Sequence, residues 1–106
     1  MSATIDREQA AALVYGAVDQ LNRQLRKDQR LAKSPTTPLA GAPGGVDSLG
    51  VLNLLVMAEE RIAKAYAVDI VLADEEALAA EPSPFRTPGS LAEHIQAVVE
   101  RKLDRP

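Results

Sequence analysis

The sequence predicts an all-α bundle of four helices, three long and one short, with a long loop between the first and second. Three observations carry this expectation. Apolar residues recur at three- and four-residue steps over three separate stretches. Clusters of proline and glycine interrupt the chain between them. The one β-branched apolar run, Val68 to Leu72, has no second run to pair with, and an unpaired strand would leave backbone groups unsatisfied.

Each element has a local cause. Asp6 and Gln9 form a capping-box pair, and Val14, Ala17, Val18, Leu21 and Leu25 follow on one face, so the first helix should run five or six turns. Arg23, Arg26, Lys27 and Arg30 would then complement the partial negative charge at its end. Pro35, Pro38 and Pro43 with Gly41, Gly44 and Gly45 exclude a regular element between Ser34 and Gly45. That stretch reads as a loop over the first helix, anchored by Leu39 and Val46. Asp47-Ser48-Leu49 opens the second helix, whose stripe of Leu52, Leu55, Val56, Ile62, Ala63 and Tyr66 ends near Tyr66 or Ala67. Val68 to Leu72 becomes an extended connection that plugs the core. Asp74, Glu75 and Glu76 favour the start of a short helix over Ala77 to Ala80. Pro82, Pro84 and Pro88 mark an irregular stretch holding a buried Phe85. Ser90 and Glu93 read as a second capping box, opening a last helix lined by Leu91, Ile95, Val98, Val99 and Leu103. Its end, from Arg101, is expected to fray.

Composition narrows the function. At 106 residues the chain suits one domain, residues 1–106, with an ordered core over about 6–103. Without cysteine there is no disulfide and no thiolate chemistry of the chain's own. Twelve basic against fifteen acidic residues, a net charge of −3, with 3% aromatics, argue against nucleic-acid binding. No stretch approaches the roughly 20 apolar residues of a membrane span, and no signal peptide is read at the start, so a cytoplasmic monomer is the expectation. His94, the lone histidine, reads as a surface residue rather than a catalytic base, and Glu59-Glu60 and Asp74-Glu75-Glu76 as solvated carboxylates. No nucleophile–base pair suggests an enzyme.

The informative residue is Ser48. Taken alone, Asp47 or Ser48 is an N-cap of the second helix. The other reading is a hydroxyl at the positive end of a helix, presented by a glycine-rich loop, where an esterified phosphate would be electrostatically favoured. Gly45-Val46-Asp47-Ser48-Leu49-Gly50, the apolar helix through Val56, and Met57-Ala58-Glu59-Glu60 decide between them. This region resembles the attachment segment of acyl and peptidyl carrier proteins. Phe85-Arg86-Thr87-Pro88-Gly89-Ser90-Leu91, leading into Ala92-Glu93-His94-Ile95, is similar to the start of their last helix.

The resemblance implies a four-helix carrier bundle that is not itself an enzyme. Ser48 would receive a 4'-phosphopantetheine arm from coenzyme A through a separate phosphopantetheinyl transferase. The arm's thiol would carry acyl or aminoacyl groups as thioesters between acyl-loading and acyl-processing enzymes of a fatty-acid-like, polyketide-like or other specialised pathway. Asp47 would orient the loop and the transferase. Leu49, Leu52, Asn53, Val56, Glu59 and Glu60 would form the docking face. Typical fatty-acid carriers place acidic residues where Gly50 and Asn53 stand here, so steering by charge is weaker. The second helix runs about a turn longer, and Leu72 to Pro84 exceeds the corresponding segment of compact carriers; both point to a specialised pathway. The alternative is an unmodified protein–protein interaction module of the same fold.

Overall fold

The computed structural model describes residues 5–39 and 48–104. Among these residues there are four α-helices: α1 Arg7–Asn22, α2 Ser48–Tyr66, α3 Glu75–Ala79 and α4 Pro88–Asp104. A 3-10 turn spans Lys27–Gln29, and no strand occurs among the described residues. Val46, the second expected loop anchor, and the glycines at 41, 44 and 45 lie outside the described residues.

The start of α1 follows the expected capping box. The Asp6 carboxylate accepts from the Gln9 N–H at 2.7 Å, and the Gln9 side-chain Oε1 accepts from the Asp6 N–H at 2.9 Å. Its end is earlier than the periodicity suggests. Sixteen residues make about four and a half turns, because the Asn22 side chain bonds both the N–H and the C=O of Leu31, at 2.8 and 2.9 Å. The chain therefore turns back at Asn22 instead of continuing through Leu25. Of the basic run, Arg23 is the C-cap and the Arg30 Nε donates to the Asn22 carbonyl at 3.1 Å. Arg26 and Lys27 lie beyond the helix.

The returning segment lies against α1 and then against the entry to α4. Leu31 and Leu39 are buried, the Leu39 N–H donates to the Arg86 carbonyl, and the Gly89 N–H donates to the Pro35 carbonyl. A Cβ at Gly89 would stand 2.8 Å from that carbonyl oxygen, so this approach of two backbones requires glycine.

α1 is the centre of the bundle and packs against both α2 and α4. α1 and α2 run antiparallel. Tyr66, at the end of α2, feels the Asp6 carboxylate at the start of α1, while the Arg61 guanidinium reaches the Gly16 and Gln20 region. One contiguous core joins Val14, Ala17, Val18 and Leu21 of α1, Leu54, Leu55, Ala58 and Ile62 of α2, and Leu91, Ile95 and Val99 of α4. α2 is closed by Ala67, the residue after Tyr66, which adopts a left-handed φ of 56°, the geometry that helix ends more often give to glycine. The connection that follows plugs the core only in part. Ile70 and Leu72 are buried, whereas Val71 faces solvent.

α4 starts differently from the expected Ser90–Glu93 capping box. It begins at Pro88, a favoured first helical residue, so Thr87 holds the cap position. The Thr87 hydroxyl oxygen accepts from the Ser90 N–H, and the Ser90 hydroxyl oxygen accepts from the Thr87 N–H, both at 3.1 Å. Glu93 instead pairs with Arg7 across the bundle at 2.6 Å. The helix extends past Arg101 to Asp104, with Leu103 packed on the core.

Candidate functional site

Ser48 is the first residue of α2, as the sequence predicts. Asp47, expected to orient the loop, lies outside the described residues. The first turn of α2 contains no acidic residue, in contrast to Glu8 in α1 and Glu75 and Glu76 in α3. The positive end of this helix is therefore not offset by a carboxylate of its own first turn, which suits an anion there.

From that end a stripe of apolar side chains runs along the outside of α2. Leu49 is 65% exposed, and Leu52 and Val56 are each 52% exposed. Their spacing of three and four residues puts them on one face, with Asn53 and Glu60 exposed on the same side. The opposite face carries Leu54, Leu55, Ala58 and Ile62 into the core. α2 thus has more apolar arc than its packing uses, and the surplus is a continuous ridge beginning one residue after Ser48. Ridges of this kind mark contact surfaces more often than scattered exposed leucines do. The neighbouring Leu49 and Leu52 side chains stand open to solvent, and Leu49, Gly50 and Val51 bring no carboxylate to the first turn.

The expected docking set divides on this geometry. Leu49, Leu52, Asn53, Val56 and Glu60 share the open face. Glu59 is half-buried and accepts a hydrogen bond from the Leu72 N–H at 2.8 Å, so it is occupied in holding the connection to α2. It is not the free solvated carboxylate that its sequence position suggests.

His94 is also differently placed from the surface position expected. It is half-buried, its Nε2 lies 2.9 Å from the Leu72 carbonyl oxygen, and Phe85 meets its ring edge-to-face at a centroid separation of 5.7 Å. A carbonyl only accepts, so Nε2 carries the hydrogen. A cleft of about 370 Å³ beside it is lined by Ala77, Pro82, Arg86, Glu93, His94 and Arg101 among others. Ser90 also lines this cleft, but its hydroxyl donates to the Pro84 carbonyl at 2.8 Å and caps Thr87 rather than bonding His94. The two do not form a nucleophile–base pair. Among the described residues no three His, Asp or Glu side chains gather as a metal site. None of the described helices is long and apolar enough to cross a membrane.

The sequence reading missed the roles of Glu59 and His94, and only one local signal was available for the neighbouring elements. Pro88 at the first helical position marks Thr87 as the cap. Nothing near Glu59 or His94 announces that both converge on the backbone of Leu72. No family model, no curated protein and no solved structure matches this chain.

Proposed function

We propose that this protein is a discrete acyl carrier, modified on Ser48 with 4'-phosphopantetheine and presenting thioester-bound acyl or aminoacyl intermediates to partner enzymes. The observation that carries the reading is the exposed ridge of Leu49, Leu52 and Val56 starting at the attachment residue. An enzyme docking on the ridge would meet the arm at the same end of α2. The helix order, three long and one short with a long segment after the first, agrees with a carrier bundle, and the Asp47-Ser48-Leu49 motif supplies the attachment chemistry.

In the loading step, catalysed by a phosphopantetheinyl transferase, the Ser48 hydroxyl oxygen bonds to the phosphorus that bears the pantetheine. The phosphoanhydride of coenzyme A breaks, adenosine 3',5'-bisphosphate leaves, and the serine proton is released. When attached, the arm supplies the thiol that this cysteine-free chain lacks. The chain's own task is to hold Ser48 at a positive helix end and to offer an apolar ridge beside it; the cargo chemistry belongs to the partners. The reading includes no catalytic residue in this chain, and it places the protein as a monomer in the cytoplasm in a fatty-acid-like, polyketide-like or other specialised pathway.

Intact mass before and after incubation with coenzyme A and a broad-specificity transferase tests this. The expected result is the gain of one phosphopantetheine that is absent in Ser48→Ala. A folded wild-type protein that gains nothing would overturn the proposal and leave the ridge as the surface of an unmodified interaction module.

A further inference from the structure

Residues 73–84 hang between two points that meet on one side chain. α1 packs against α2 and α4, but α3 has no comparable interface with any of them, and Ala77 is its one buried residue. Leu78 is 66% exposed, and Glu75, Glu76 and Ala79 also face solvent. At the near end of the segment the Leu72 carbonyl accepts from His94 Nε2. At the far end Phe85 rests against the same imidazole. Further ties also lie at the ends, from the Leu72 N–H to Glu59 and from the Ser90 hydroxyl to the Pro84 carbonyl.

Between those ends the segment bonds to itself. Asp74 caps Ala77 and its carbonyl accepts from Leu78, while the Ala77 carbonyl accepts from Ala80. Ser83, beside the far end, accepts from the Phe85 N–H through its hydroxyl and from Arg86 Nε through its carbonyl. On the side toward α4 the space is a cleft, with Ala77, Ala80 and Pro82 on one wall and Glu93, His94 and Arg101 on the other. A segment with few buried side chains, self-contained hydrogen bonds and an open cleft behind it has the features of a local unit that opens below the free energy of global unfolding.

We infer that residues 73–84 form a strap that swings away from α4 as a unit, and that His94 is the latch fastening both of its ends. Release widens the cleft and uncovers Ala77, then Leu72 and Phe85 at its margins, while the α1–α2 packing stays intact. The strap is independent of whether Ser48 is modified, since none of its fastenings involves the start of α2.

Hydrogen exchange of the full-length protein, followed by mass spectrometry in wild type, His94→Ala and His94→Gln, tests the latch. The loss of one net hydrogen bond and one ring contact should speed exchange at Leu72, Ala77, Leu78 and Ala80 by about tenfold or more in His94→Ala. Amides in the centres of α1 and α2 should keep their wild-type rates. His94→Gln keeps a donor for the Leu72 carbonyl but loses the ring against Phe85, so it should show a smaller increase; it decides the matter alone if the alanine variant does not fold. Two results would overturn the inference. One is a wild-type strap that already exchanges like an unprotected peptide. The other is a loss of protection in the variants spread equally over α1, α2 and the strap.

Discussion

The α1–α2–α4 frame and the stretch from Ala67 to Thr87 are built on different principles. The frame is held by volume. Val14, Leu21, Leu54, Ile62, Leu91 and Ile95 are almost wholly excluded from solvent, and the stripes of α2 and α4 pack against α1 between them. The connecting stretch is held at points, by Glu59 and His94 on Leu72, by Ser90 on Pro84, and by the burial of Ile70, Leu72, Ala77 and Phe85. A frame held by volume loses stability smoothly as methylenes are removed. A stretch held at points can let go locally while the rest of the molecule stays folded. The outer face of α2 belongs to neither regime, because its ridge is apolar yet exposed: no element among the described residues covers Leu49, Leu52 or Val56.

The largest expected effect lies in the frame. Leu54→Ala should cost about 3 kcal/mol in urea-induced unfolding, since a fully buried leucine loses both its transfer free energy and its packing. A cost below about 1 kcal/mol would mean that the interior is too loosely packed for the contrast to hold.

Paired cap deletions sharpen the comparison. Asp6→Ala removes the cap of a helix at the centre of the bundle and should lower global stability by about 1 kcal/mol. Asp74→Ala removes a cap of similar geometry from α3, yet it should move the global midpoint by less than about 0.5 kcal/mol. Its effect should instead appear as faster amide exchange confined to Ala77 and Leu78. Equal midpoint shifts in the two variants would show that frame and strap unfold together.

The smallest effect is at the seam of the two regions, where Tyr66 closes α2. Burial, and then the negative charge of Asp6, push its hydroxyl pKa above the ordinary 10.0. The folded state therefore holds this proton more tightly than the unfolded chain. The stabilisation is fully present below pH 10 and is lost as pH rises through the raised folded value. Stability of wild type should fall more steeply than that of Tyr66→Phe above pH 10, and parallel curves would remove Tyr66 from the seam.

The helical periods were plain in the chain because each turns on neighbours three and four residues apart. The Asp6–Gln9 box, the start of α2 at Ser48, its end at Tyr66 and the Asp74 cap all follow from such neighbours. Most of the candidate site was legible for the same reason. Leu49, Leu52, Asn53, Val56 and Glu60 fall on one face by spacing alone, although spacing does not reveal that they stay exposed in the fold.

What only the tertiary structure decided are contacts between residues far apart in sequence. α1 stops at Asn22 because a carboxamide there meets Leu31. Glu59 is not left free on the outer face of α2, because the Leu72 N–H takes it as an acceptor. Glu93 is released from capping α4 and answers Arg7, and His94 is drawn inward to hold Leu72 and Phe85. The sequence by itself determined where helices can form and which faces are apolar, since both depend on short-range sterics and hydrogen bonds. Which polar groups stay free was decided by the fold, because a buried backbone donor or acceptor takes whichever partner the packing brings within reach.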